Sequence, residues 1–430
     1  MEFHGRKRPV VKFCEILSLF FCFLGDNNSF VISKETEDFE VHSSNGNTEG
    51  NGVSLNVSRS NYVDYGGIHG RKIDGDKVML NQSRLLENER WDDTKAARQC
   101  NIFKGSWVHD TSYPLYSALK CPYIGGQANC RLNGRPDSDY EKWRWKPHSC
   151  TISRFNAFHL LERLRGKRLM FVGDSTSRNQ WESMVCLLNA VIPNKKKYMA
   201  YGSPLTTFKA LDYKASIEFF WAPFLVDLQI NHQGKGILNL DAIVNKGVYW
   251  RGVDILIFES AHWWTHTGSE KSWDIIMEGR RMYRDMDPML AYRKGMTTWA
   301  NWISTNIDSR RSRVFFRGMS PKHYSPNDWN EANGHKCYNE REPVKIRGYR
   351  PPLPSQVSII KQVLKRTRFP VAYLDITRLS QFRKDGHSSV YTGNLNGEQR
   401  KDPDRFADCS HWCLPGVPDT WNELLYAHLL

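Results

Sequence analysis

The chain has 430 residues, a formal net charge of +14 and 40% hydrophobic content, enough for one large α/β domain with additions or for two domains. Its basic excess would attract an acidic polymer, but the basic residues are spread out and no nucleic-acid motif accompanies them, which argues against a nucleic-acid binder. Fifteen tryptophans are unusually many; Trp repeated in exposed grooves suits carbohydrate stacking, although most Trp side chains serve as core.

Arg6, Lys7, Arg8 and Lys12 precede an apolar run, Phe13 to Leu24, that only Glu15 interrupts. A basic flank, a short apolar core and a polar continuation follow the order of a secretory signal. Phe23-Leu24-Gly25 is a poor cleavage site, so residues 1–25 read as a cytosolic tail and an uncleaved signal anchor, with everything after them luminal. Residues 26–93 are rich in Asn, Ser, Gly, Asp and Glu without periodicity, and read as a disordered luminal stalk. Asn27, Asn56 and Asn81 each begin an N-x-Ser sequon; Asn27 lies close to the membrane, leaving Asn56 and Asn81 as the expected glycosylation sites.

Cys14 and Cys22 fall in the apolar segment, and the other eight cysteines lie beyond it. Their spacings fit no usual zinc pattern, so a disulfide framework in an oxidising compartment is preferred to a metal site, its connectivity left open. Residues 94–152 hold four of the eight, with many aromatics and turn residues and no helical period. They read as a cysteine-rich lobe of loops and short strands. Its Trp and Arg side chains either line a polysaccharide groove or pack against the main domain.

Residues 153–430 alternate strand and helix patterns. A helix is expected over Phe155 to Arg165, a buried strand at Leu169 and a helix after Ser175. Extended segments follow at Ile217 to Trp221, Leu225 to Ile230 and Gly236 to Leu240. Further strands are expected at Val253 to Phe258, Val314 to Phe316 and Val371 to Ile376, with helices over Met289 to Ile307, Ser355 to Arg366 and Asp419 to Leu430. That alternation predicts a three-layer α/β architecture on a parallel sheet.

The chemistry gathers at two of these places. Leu169-Met170-Phe171-Val172-Gly173-Asp174-Ser175 is an apolar strand that delivers a serine to a helix N-terminus. Ligands of open α/β sheets bind at such strand ends, and backbone N–H groups there can steady an oxyanion. A serine needs a base, and the base an orienting acid. Asp408-Cys409-Ser410-His411 supplies both, since an acid three residues before a histidine can fold back within one turn and fix the imidazole tautomer. The bland alternative is a loop serine and a disulfide-rich surface turn; both halves in one chain favour the catalytic reading of Ser175, His411 and Asp408. Asp385-Gly386-His387 offers a rival base, ranked second.

Together these residues resemble the plant trichome birefringence-like family, which includes the powdery-mildew-resistance proteins and is similar in fold to SGNH/GDSL esterases. The resemblance rests on Gly173-Asp174-Ser175 followed by Arg178-Asn179-Gln180-Trp181-Glu182-Ser183. It rests also on Asp408 to Gly416 with Pro418-Asp419-Thr420-Trp421-Asn422, and on Arg135-Pro136-Asp137 and Trp143-Arg144-Trp145 in the lobe. It implies O-acetylation of cell-wall polysaccharide by a type II Golgi membrane protein, with secretion to the wall as the alternative. Ser175 would be nucleophile, His411 base and Asp408 its orienter, on disulfides Cys100–Cys150, Cys121–Cys186, Cys130–Cys413 and Cys337–Cys409.

No bound cofactor or metal is implied, but an acetyl donor is required, free or supplied by a membrane protein. Trp263, Trp264, His262 and Arg178 are candidates to line the acceptor cleft, with core packing as the alternative for the aromatics. One position departs from the family pattern. Where an Asn is usual after the Phe258 strand, this chain has Glu259. An ionised Glu at the oxyanion position, alongside the Ser175 N–H, would repel the charge it should hold, so Glu259 must be protonated or face elsewhere, backbone N–H groups must serve alone, or activity is weakened. Three functions follow: an acetyltransferase, an acetylesterase on the same polymers, or a non-catalytic pectin binder that bridges wall polymers.

Overall fold

The computed structural model describes residues 100–430, apart from 330, 332, 333, 347 and 394. The expected tail, anchor, stalk and sequons lie outside the described residues, among which no helix is long and apolar enough to cross a membrane.

The lobe opens with an antiparallel pair, β1 (Gly105–His109) and β2 (Trp143–Pro147), joined by loops and 3₁₀ turns. Helix α1 (Ala157–Arg163), capped by the Asn156 side chain, leads into β3 (Arg168–Gly173) and α2 (Ser175–Asn189). A hairpin of β4 (Lys197–Ala200) and β5 (Leu205–Ala210) continues into β6 (Ala215–Trp221), β7 (Asp227–Ile230), β8 (Gly236–Asn239) and β9 (Ile255–Phe258). After β10 (Ile275–Glu278) and β11 (Arg281–Tyr283) come α3 (Pro288–Asn306), β12 (Arg313–Arg317), α4 (Ser355–Arg366) and β13 (Val371–Leu374). The chain ends with β14 (His387–Ser389), β15 (Asp408–Trp412) and α5 (Val417–Leu429).

The main sheet runs β13-β12-β9-β3-β6-β5-β4. Its strands from β13 to β6 are parallel, as alternating strands and helices predict. At one edge β5 and β4 add antiparallel strands to that parallel sheet. The cause is connection length. Residues 201–204 and the turn Leu211–Tyr213 are too short for a crossover, which needs about a dozen residues. A second sheet, β11-β10-β8-β7, takes up the extended segments after β6.

Alternate residues of β3 point to opposite faces. Leu169 and Phe171 pack with α1, α2 and α5, while Met170 and Val172 pack with α3, α4 and the inner side of the second sheet. The three expected layers are therefore present, and the sheet centre is dry on both sides. Trp107 of the lobe bonds to the Leu379 carbonyl and buried Arg135 to the carbonyls of Asp385 and His387, while buried Trp145 bonds to Ile102 within the lobe itself. Trp107 and Arg135 thus pack against the main domain, and Trp145 serves as core.

Candidate functional site

Gly173 ends β3 where the chain must pass close to its neighbours: a Cβ there would lie 2.5 Å from the Glu259 carbonyl oxygen and 2.4 Å from the Ser177 hydroxyl. Asp174 then caps α2, its Oδ1 accepting the Thr176 N–H and hydroxyl, each at 2.8 Å. Ser175 becomes the first helical residue, half-buried at the carboxyl ends of the strands, with a backbone N–H that no helical carbonyl can take.

His411 arrives from 236 residues away and its Nε2 sits 2.7 Å from the Ser175 Oγ. The reach is bridged by Asn179, one turn along α2, whose amide accepts the Trp412 N–H (2.8 Å) and donates to the Trp412 carbonyl (3.1 Å). His411 Nδ1–H donates to Asp408 Oδ2 at 2.8 Å, which leaves the Nε2 lone pair for the serine hydroxyl. Asp408 Oδ1 accepts three more bonds, from the N–H groups of Ser410 and His411 and the Ser410 hydroxyl. The acid therefore folds back within one turn, as its spacing from the histidine suggests.

Burial opposes the Asp408 charge, but the facing imidazole and these donors hold its carboxyl far below the usual range. Burial likewise opposes a charged His411, and the Asp408 carboxylate outweighs it, so the imidazole lies above its ordinary value. An imidazole poised to take a proton from a hydroxyl, beside unspent backbone N–H groups, can activate a serine for attack on an ester carbonyl.

The rival His387 does not reach Ser175. Its Nδ1 donates to the His411 carbonyl (2.9 Å), its Nε2 faces His323 (2.6 Å), and its ring stacks on Trp412. Asp385 does not orient it either, because both its oxygens bind Arg383.

Glu259 resolves differently from the oxyanion position considered for it. Its side chain is buried against the hydroxyls of Thr176 and Ser177 and the guanidinium of Arg317 (3.2 Å), and none of its bonds is to Ser175 or His411. Asp174 and Glu259 face each other across one arginine. Burial and the Asp174 charge push the Glu259 carboxyl well up. Asp174 is held down despite its burial, by His262, by its bond with Glu259 and by Arg317. One proton thus stays on Glu259, and Arg317 balances Asp174. The charge conflict is settled inside the protein, leaving the Ser175 N–H as a donor beside the Ser175 hydroxyl.

Of the four cleft candidates, two keep accessible surface. Arg178, three residues after Ser175 on the same helical face, lies over the rings of Phe219 (5.1 Å) and Trp221 (5.6 Å). Trp263 meets Trp221 edge to face at 5.4 Å, and the His266 ring lies tilted against it at 5.1 Å. Trp264 corrects its expectation. It is fully buried, donates its indole N–H to Ser260 (2.8 Å) and packs where a Cβ on Gly295 would collide with it. His262 is also buried, its ring nitrogens without partners, and burial lowers it to about 3. Sequence reasoning missed Trp221 and His266, which an aromatic at a strand end opposite Gly173 could have suggested for Trp221. It also missed Gln127 of the lobe, whose amide reaches Asp408 and His411; nothing local marks that residue.

The four disulfides are Cys100–Cys150, Cys121–Cys186, Cys130–Cys413 and Cys337–Cys409. The first closes the lobe, the second ties it to α2, and the last two grip the chain on either side of His411.

Fold and site together define an SGNH-like acyl-esterase domain with a disulfide-linked amino-terminal lobe. A family model described as a GDSL/SGNH-like acyl-esterase family found in Pmr5 and Cas1p matches residues 152–428, and one described as the PMR5 N-terminal domain matches residues 98–151. The chain is 44% identical over 360 residues to trichome birefringence-like 36 of Arabidopsis thaliana, covering 83% of this chain and 91% of that protein. It is 46% identical over 343 residues to trichome birefringence-like 31 of the same plant, covering 77% and 82%. Trichome birefringence itself, also from Arabidopsis thaliana, is 43% identical over 365 residues, covering 82% of this chain and 59% of that protein. The chain belongs to the trichome birefringence-like family.

Proposed function

We propose that the protein is an O-acetyltransferase that moves acetyl groups onto hydroxyls of plant cell-wall polysaccharide, pectin or hemicellulose, through an acetyl-serine intermediate. The observation that carries the reading is the continuous chain Ser175 Oγ, His411 Nε2, His411 Nδ1, Asp408 Oδ2, with links of 2.7 and 2.8 Å. In the first half-reaction the Ser175 oxygen attacks the acetyl carbonyl of the donor while His411 Nε2 takes the hydroxyl proton. The tetrahedral oxyanion is met by the Ser175 N–H and the positive end of α2. The donor's leaving group departs with the proton from His411. In the second half a sugar hydroxyl gives its proton to His411 and attacks the acetyl-serine, and Ser175 recovers the proton as it leaves.

The Trp221–Trp263 surface with Arg178 supports acceptor binding beside the nucleophile, since aromatic faces take the C–H faces of sugars. The acceptor is a wall polysaccharide, and the donor is small or is delivered by a membrane protein. The basic flank and apolar run at residues 6–24 support a Golgi signal anchor with the enzyme in the lumen.

The acyl-esterase description of the matching family favours a second reading, hydrolysis of the same esters by water. Incubating the luminal domain with acetylated and with bare polymers separates the two: the transferase incorporates acetate into bare polymer, and the esterase only releases it. A Ser175→Ala protein that incorporates acetate at the wild-type rate would refute both. The third reading, a pectin binder without chemistry, predicts that a serine-directed probe leaves Ser175 unlabelled while polymer binding stays tight.

A further inference from the structure

We propose that Gln127 is a positioning residue of this reaction, and that the amino-terminal lobe exists in part to deliver it. The proposal rests on the serine reading above. Gln127 Nε2 lies 3.2 Å from Asp408 Oδ2 and 3.0 Å from His411 Nδ1, the two atoms whose bond fixes the imidazole tautomer. The ionised Asp408 only accepts, so the amide turns its NH₂ to the carboxylate and adds a fifth donor to it.

The segment carrying Gln127 is an arch pinned at every step. Gly125 lies against the buried Glu182 of α2, where a Cβ on Gly125 would come within 2.9 Å of the carboxylate. The Gly126 carbonyl accepts from Gly393 (2.9 Å) and Asn133 (2.6 Å), the Ala128 carbonyl from Leu414 (2.9 Å), and Cys130 is bonded to Cys413. An arch tied both to the nucleophile helix and to the chain just after His411 holds one amide against the acid–base pair. Without it, Asp408 keeps its turn but loses the partner that stops its Oδ2 from swinging off Nδ1.

The test uses the rescue that this geometry allows. Asp408→Asn should lower turnover by roughly ten thousand-fold by removing the orienting charge. Gln127→Ala should lower kcat about tenfold with the acceptor KM unchanged. Because a Glu at 127 places a carboxylate at the same atom, the double variant Asp408→Asn, Gln127→Glu should turn over at least about tenfold faster than Asp408→Asn alone. Thermal melting and disulfide mapping establish that each variant is folded. A double variant no faster than Asp408→Asn, with Gln127→Ala at the wild-type rate, overturns the proposal and leaves the serine reading standing. Full turnover by Asp408→Asn overturns the serine reading, and this role with it.

Discussion

At the scale of single residues, the hydroxyl of Ser175 is ordinary, and its surroundings are what give it chemistry. His411 can accept its proton only while neutral, and the Asp408 carboxylate holds the imidazole above its usual range. Activity should therefore fall as pH drops through a value above about 6.5, the unperturbed figure for imidazole. In Asp408→Asn that acid limb should move to lower pH, measured as the pH dependence of kcat/KM on a soluble acetyl ester. Beneath the serine, Asp174, Glu259 and Arg317 share two negative positions and one positive. Glu259→Gln replaces a protonated acid with its isostere and should leave melting within about a degree or two. Arg317→Met strands the Asp174 charge and should cost about 3–5 kcal/mol in denaturant unfolding.

At the scale of elements, the site depends on two segments meeting, α2 and β15. Asn179 joins them through both polar groups of the Trp412 backbone. Asn179→Leu leaves a buried N–H and C=O unpaired, which should cost about 1–3 kcal/mol each, and should lower kcat further by letting His411 drift from Ser175. Equal losses of stability at an unrelated buried site with unchanged kcat would show that the drift matters. This is also the scale at which the sequence was most and least readable. The strand ending at Gly173, the helices over Ser355 to Arg366 and after Ser175, and the Asp408–His411 turn were legible because period, cap and spacing are local signals. The antiparallel edge at β4 and β5 was not, because its strands are partly exposed and carry mixed patterns. Trp264 was misassigned for a related reason: an aromatic pair in sequence, Trp263-Trp264, puts one ring toward solvent and the next into the core, and only the fold says which. Gln127 could not be found at all, since its contacts lie more than 280 residues away.

At the scale of the whole molecule, buried acids and buried imidazoles set opposite slopes of stability against pH. Burial pushes Glu182, Asp419 and Glu423 each to about 7. Their folded values exceed the unfolded ones, so the stability they carry is lost as pH rises from about 4 through about 7. Burial lowers His262 to about 3 and His323 to about 4. The unfolded chain protonates those rings below about 6.5, so their stability is lost as pH falls through that window. The two sets oppose each other below about 6.5; above it the carboxyl loss remains, joined by that of His411, whose imidazole the Asp408 carboxylate holds above its ordinary value. Unfolding free energy of the folded domain should therefore fall between pH 6.5 and 8, and Glu423→Gln should flatten that fall.

The fate of the acetyl group itself tests the serine intermediate most directly. The protein, mixed with a chromogenic acetyl ester and quenched within one turnover, is digested and its peptides are weighed. The account predicts one added acetyl group on the peptide containing Ser175, cleared when a wall polysaccharide is supplied and absent in Ser175→Ala. Acetylated polymer formed without any acetyl-Ser175, or formed equally well by Ser175→Ala, would contradict it.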